Sequence, residues 1–188
     1  SRSMAADTVR VGHTGEAELT LNGADLDVDD TLHVGYGNRG TFVHNAGAVT
    51  ADAIRVSGAP GADNSSYEFS GGTIRAQAVS VAHNGVGQFT QSGDANLETN
   101  ALIVGGASDS LFNRYRHDGG ETLVTGQFRV GNGVGSNAVY RLDQADPDHG
   151  TLLTTANAHV GSDGDGRFDH FGGRHVVTGR LVIGKHSG

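Results

Sequence analysis

Residues 66–81 read SYEFSGGTIRAQAVSV, and this stretch decides the fold. Tyr67 alternates with polar neighbours, a Gly71-Gly72 pair follows, Ile74 opens a second alternating segment, and Val79-Ser80-Val81 forms a third. Period-2 alternation puts successive side chains on opposite faces, which is the pattern of a strand. No i, i+3, i+4 spacing supports a helix, and glycine and β-branched residues disfavour one further. The unit recurs along the chain. Its apolar-x-apolar anchor returns as Val9-Arg10-Val11, Leu32-His33-Val34, Ile54-Arg55-Val56, Leu102-Ile103-Val104, Phe128-Arg129-Val130, Ala158-His159-Val160 and Leu181-Val182-Ile183. The closing anchor positions, 11, 34, 56, 81, 104, 130, 160 and 183, lie 23, 22, 25, 23, 26, 30 and 23 residues apart. A period of that size marks a solenoid.

Three strands of about five residues with their turns fill roughly one such period. The chain is therefore predicted to be all-β, a single-domain parallel β-helix (β-solenoid) over residues 7–188, with about eight coils of ~23–25 residues and three short strands in each. Parallel crossovers favour one hand, so a right-handed coil is expected. Residues 1–6 are expected to be a disordered or cloning-derived N-terminus. The last anchor lies close to Gly188 with no polar cap after it, which predicts a fragment of a longer array.

Aligned repeats predict inward ladders. One is Leu19, Phe42, Tyr67, Phe89, Tyr115, Tyr140 and Phe168; the anchor valines with Ile183 make a second. A third is Leu26, Val49, Ile74, Leu97, Leu123, Leu152 and Val176. Two positions further on, Thr99, Thr125, Thr154 and Thr178 are expected to form an internal hydroxyl ladder.

Composition agrees with turns and excludes several function classes. Of 188 residues, 31 are glycine and 2 are proline, which suits many tight turns rather than collagen or disorder. No apolar run is long enough to span a bilayer, so membrane insertion is not expected. Cysteine is absent, which removes disulfides and thiolate metal sites. The net charge of −8 argues against nucleic acid as a partner, because phosphate contact needs a basic surface.

The phrases FSGGTI, GQFTQSG and LIVGG, within SYEFSGGTIRAQAVSVAHNGVGQFTQSG (Ser66 to Gly93) and ALIVGG (Ala101 to Gly106), resemble the degenerate β-strand repeats of exported bacterial surface proteins. Such repeats occur in autotransporter-like passengers and in proteins with PEP-CTERM sorting signals. The resemblance covers nearly the whole chain, with drift at Asp94-Ala95 and an interruption at Asp146-Pro147-Asp148-His149. It implies an extracellular or cell-surface location. It transfers no catalytic residue, because the matching positions are core and turn positions.

Arg114, Arg116, Arg141 and Arg167 are predicted to point outward within two or three coils, a candidate surface for acidic glycans or cell-surface polymers, since guanidinium pairs bidentately with carboxylate or sulfate. The competing expectation is local pairing with Asp118, Asp143 and Asp169. His44, His117 and His170 share one inward repeat position but are separated by whole coils, too far to share a metal, so no metal site is expected. Asp25, Asp27, Asp29 and Asp30, the group Asp143, Asp146 and Asp148, and the turn with Asp163 and Asp165 offer oxygen ligands for calcium. They lack the EF-hand glutamate and the calcium-binding nonapeptide, so no cofactor is expected. Asp27 and Asp52 in adjacent coils, with Glu98 beyond, are the carboxylates that glycosidase or lyase chemistry would need on one face.

The expected function is a structural or adhesive segment of an exported surface protein, a stiff spacer with an interaction face and no catalytic residues. The alternatives are a polysaccharide-binding or polysaccharide-cleaving β-helix, and self-assembly into homo-oligomers through the solenoid ends. Any binding residues are expected on the arginine cluster or in the turns after the anchors: Tyr36 to Arg39, Ser57 to Ser65, His83-Asn84, Ser108 to Phe112 and Asp163 to Gly166.

Overall fold

The aromatic residues of successive repeats stack face to face, and this column is the spine of the molecule. The computed structural model describes residues 2–59, 62, 64–106, 113–144 and 150–184. In it Phe42, Tyr67, Phe89, Tyr115 and Tyr140 follow one another at ring-centroid distances of 4.6 to 4.8 Å with interplanar angles of 13 to 20°. All five are buried, and Phe168 continues the column at 5.4 Å. Offset parallel rings at this distance add attraction beyond the area they bury.

Each ring sits on a short strand. With the strand that precedes the first of them, these are β3 (Ala17–Asn22), β5 (Gly40–Ala46), β7 (Ser65–Phe69), β9 (Gly87–Gln91), β11 (Asn113–His117), β13 (Asn137–Leu142) and β15 (Asp165–His170). They pair in parallel, in chain order, as one seven-stranded sheet. The rest of each coil is one long strand: β4 (Asp25–Val34), β6 (Ala48–Val56), β8 (Thr73–Val81), β10 (Asn96–Val104), β12 (Gly120–Val130) or β14 (Thr151–Val160). In the first and last coils the same path is split, into β1 (Ser3–Ala6) and β2 (Val9–Val11), and into β16 (Arg174–Val177) and β17 (Leu181–Ile183). These ten strands form the second parallel sheet. The fold is a parallel β-solenoid of about seven turns, bounded by the eight anchors, with no helix among the described residues.

Two strands per coil replace the three predicted. The second and third segments run together across a bend, where side-chain parity changes: Ile74 and Ala76 face the core before it, Val79 and Val81 after it. Backbone pairing continues on both sides, so the strand does not end. Longer coils place extra residues here, with register shifts between Val28 and Thr31, Thr99 and Ala101, and Val124 and Gln127. Residues 3–6, expected outside the domain, form β1, because Met4 and Ala6 take the register of Leu26 and Val28 in the next coil.

The aromatic and anchor ladders pair in every coil as aligned. The third ladder departs from the alignment. Leu97 meets Thr122 rather than Leu123, and Thr122 then meets Leu153, which meets His175. With a period of two, an inward Leu123 would carry Glu121 inward too, and an unpaired buried charge is very costly. Thr122 instead donates to Gln91 Oε1 at 2.7 Å inside the core, and Leu123 is 40% exposed. The same slip places Val124, Thr155 and Val177 where the hydroxyl ladder was expected, with Thr125 and Thr178 outside. Thr99 alone of the four predicted threonines is fully buried, its hydroxyl donating to the Ala101 carbonyl at 3.0 Å.

The corner after each short strand follows a rule linking neighbouring coils. Leu21, His44, Phe69, Gln91, His117, Leu142 and His170 occupy one inward position. His44 and His117 each reach back through Nε2 to a turn carbonyl, Gly47 and Gly120, both at 3.2 Å. A carbonyl only accepts, so Nε2 carries the proton and Nδ1 is left to accept a phenol from the next coil. Tyr67 supplies it at 3.2 Å for His44, and Tyr140 at 2.9 Å for His117. Gln91 does likewise, donating to the Ala95 carbonyl at 2.9 Å and accepting from Tyr115 at 2.6 Å. Where the corner is Leu21, Phe69 or Leu142, the next ring is Phe42, Phe89 or Phe168. A tyrosine therefore enters the stack only where the preceding corner accepts its hydroxyl. Turns pack closely beside these corners: at Gly47 (φ +99) and Gly120 (φ +75) a Cβ would lie 2.0 Å from the carbonyl oxygen of Ala24 or Ala95 in the preceding coil.

Candidate functional site

Strands β11, β13 and β15 place Arg114, Arg116, Arg141 and Arg167 together on the outer face of the seven-stranded sheet. Arg116 and Arg141 are directly paired in register, and Arg114 and Arg167 flank Val139. Alternation puts an aspartate two residues on, on the same face, and three of the arginines use it. Arg116 Nε lies 2.5 Å from Asp118 Oδ2, Arg141 Nη2 2.5 Å from Asp143 Oδ2, and Arg167 Nη2 2.7 Å from Asp169 Oδ2. The hydrogen bond from Arg141 holds the Asp143 carboxyl below the usual carboxylate range and raises the guanidinium in turn. Arg141 also lies over the Phe171 ring, 4.7 Å from its centroid. Arg114 has no ion pair among the described residues. The surface is thus a set of internally neutralised Arg–Asp pairs beside one unpaired cation. The guanidinium halves of these pairs face solvent while the carboxylates are more covered, so a multivalent anion can compete for the guanidinium edges.

A second feature follows from the bend in the long strands. Its outer side is an open groove of about 430 Å³, lined by Asp27, Asp29, Thr50, Asp52, Gln77, Asn100 and their neighbours. Asp27, Thr50, Arg75 and Glu98 form one row across β4, β6, β8 and β10. Arg75 Nε lies 3.5 Å from Glu98 Oε2. The expected carboxylates Asp27, Asp52 and Glu98 therefore do border one groove. Thr50, Arg75, Gln77 and Asn100 went unnoticed in the sequence; their only signal is alternate placement on the outward side of the bend. Asp25 has a structural task, accepting the Ala48 amide at 3.0 Å.

His44 and His117 are satisfied by the core, whereas His170 in the last coil is exposed, with its Nε2 on the Gly173 carbonyl at 3.2 Å. Burial pulls His117 down to about 4, and Tyr115 and Tyr140 are pushed well up for the same reason. A neutral imidazole and a protonated phenol are the forms their hydrogen bond requires. Among the described residues no group of three or more His, Asp or Glu side chains converges as a metal site would. Asp163 and Asp165 are exposed in their turn. Asp146, Asp148 and the turn Ser108 to Phe112 lie outside the described residues, as do positions 60, 61 and 63 of the turn Ser57 to Ser65. No protein-family model matches this chain, and neither a curated protein nor a solved structure does.

Proposed function

We propose that the chain is a structural and adhesive β-solenoid segment of an exported surface protein, a stiff spacer that presents charged side chains at a fixed repeat. One observation carries the proposal: register is kept along the outward row Glu18, Thr41, Ser66, Gln88, Arg114, Val139 and Arg167 without a shift. A surface of this kind suits an extended polymer, whose charges also recur, and Arg114, Arg116, Arg141 and Arg167 are its contact residues for acidic glycans. The resemblance of FSGGTI and LIVGG to exported bacterial surface repeats supports the extracellular setting. Incubation with neutral and acidic polysaccharides, following binding and release of reducing or unsaturated ends together, tests the proposal. Salt-sensitive binding without product is expected; product release would overturn the non-enzymatic reading.

The groove at the bend favours a second reading, a polysaccharide-binding or polysaccharide-cleaving β-helix. Arg75 beside Glu98, with Asp27 and Asp52 close by, places a cation and acids along one path. Under this reading Glu98→Gln lowers any product release, whereas the arginine face is irrelevant to it.

A further inference from the structure

The outward anchor positions form a row along the second sheet, and its N-terminal part is unlike the arginine face. Arg10, His33 and Arg55 are register partners in β2, β4 and β6. Successive strands lie roughly 4.8 Å apart, so the two guanidinium stems flank one imidazole. Tyr36, from the turn after β4, wedges against this row. Its ring is 4.6 Å from Arg10 Cζ, 4.8 Å from the His33 ring and 5.2 Å from the His13 ring. Stacking occupies the face of the Arg10 guanidinium and leaves its in-plane N–H donors outward. Gly58, two residues after its anchor valine as Tyr36 is, has no side chain. A Cβ there would lie 2.9 Å from His33 Nδ1 and 3.4 Å from Arg55 Cβ, so any larger residue would close over the row.

Two facts separate this cluster from ordinary surface charge. Neither Arg10 nor Arg55 has an ion pair among the described residues, whereas three of the four arginines of the other face do. His33 is buried at 7% exposure, and its Nδ1 has no hydrogen-bond partner. Cations left uncompensated on a chain of net charge −8 are placed to meet an anion from outside.

We propose that Arg10 and Arg55, with the buried His33 imidazole as the floor between them and Tyr36 as a wall, form an anion subsite that takes the sulfate or carboxylate groups of an acidic polysaccharide. The subsite deepens the adhesive reading but does not depend on the arginines of β11, β13 and β15. The groups facing His33 are Arg10 from β2, Arg55 from β6, Asp30 on its own strand and His83 from the turn after β8, with His13 and Tyr36 across the edge. Burial first, then Arg55 and Arg10, holds His33 down to about 4. An anion between the two arginines cancels their repulsion, so it raises the His33 value. By linkage, binding then strengthens as pH falls below the ordinary histidine range.

The test uses dextran sulfate, polygalacturonate, neutral dextran and double-stranded DNA at about 0.15 M salt. Wild type is expected to bind an acidic polysaccharide and not neutral dextran. Binding to dextran sulfate alone, or to polygalacturonate alone, supports the subsite and identifies the anion as sulfate or carboxylate. The double variant Arg10→Gln/Arg55→Gln is expected to weaken binding by about tenfold or more, since hydrogen bonds to a charged group are the stronger ones. The quadruple glutamine variant of Arg114, Arg116, Arg141 and Arg167 removes the contacts of the other face, and adding Arg10→Gln/Arg55→Gln in that background is expected to weaken the remaining binding further, so the two faces are read separately. The His33 ring resonances are expected to titrate at higher pH with the bound polymer than without it. Retained binding in the double variant with loss in the quadruple one would overturn the subsite while leaving the other face standing. No binding of either acidic polymer, or tighter binding of DNA, would overturn it as well.

Discussion

The phenol of Tyr140 donates to Nδ1 of His117, one coil earlier, at 2.9 Å inside the core. His117 holds the required tautomer because its Nε2 is engaged by the Gly120 carbonyl at 3.2 Å. Tyr140→Phe removes the donor and leaves a buried acceptor, which is expected to cost about 1–3 kcal/mol in urea unfolding. Adding His117→Leu recreates the Leu142–Phe168 pairing found one coil further along. The double variant is therefore expected to recover much of the loss. Additive losses in the cycle would show that the two groups do not interact.

Acid is expected to weaken the fold through the same residue. The folded value of His117 is lowered to about 4 from 6.5, so the unfolded chain binds more protons between these limits. Stability present above pH 6.5 is then lost as pH falls through about 4, by roughly 3 kcal/mol for this group. His117→Gln copies Gln91, which makes the equivalent bonds without a titrating ring. Its unfolding midpoint should match wild type near pH 7 and exceed it near pH 4. A variant as acid-sensitive as wild type would assign the loss to other groups.

The register slip after Leu97 has its own test. Leu123 is outward, so Leu123→Ser is expected to shift stability by no more than about 0.5 kcal/mol. Val124 is fully buried, and Val124→Ser should cost several times as much, because a methyl pair is lost and a hydroxyl is buried. Thermal melts with the opposite order would restore the ladder expected from the alignment.

The aromatic column should carry much of the stability. Phe89 stacks between Tyr67 and Tyr115 at 4.8 and 4.6 Å and is 1% exposed. Phe89→Ala is expected to cost about 3–5 kcal/mol from lost burial and the cavity left behind. Tyr115→Phe should cost less, about 1–3 kcal/mol, since only the hydroxyl bond to Gln91 is removed.

Much of this architecture was legible before the structure. The anchor and aromatic ladders follow from period two and a repeat near 23 residues, which leave little freedom of register. The third ladder slips because Leu123 and Val176 look like better core residues than Thr122 and His175, while residue type does not separate Leu152 from Leu153. The slip is decided by keeping Glu121 and Arg174 outside, together with a hydroxyl bond across coils. The fused long strand was hidden by its bend, where parity changes and the alternation breaks. At the candidate site, the four arginines were visible in the sequence, three of them with an aspartate as an i, i+2 pair on a strand. The Arg10–His33–Arg55 row was visible as outward anchor positions. Its meaning depends on Tyr36 folding over it and on Gly58 leaving it open, and both are contacts between turns of different coils.

The central claim is that the coils hold a fixed pitch as one stiff unit. The chain contains no cysteine, so spin labels can be placed singly at Glu18→Cys and Val139→Cys, five strand steps apart on one outward row. Pulsed electron spin resonance is expected to give one narrow distance distribution near about 24 Å, five spacings of roughly 4.8 Å, broadened only by the label linkers. A broad or double distribution at that pair would contradict a stiff spacer and the fixed face built on it.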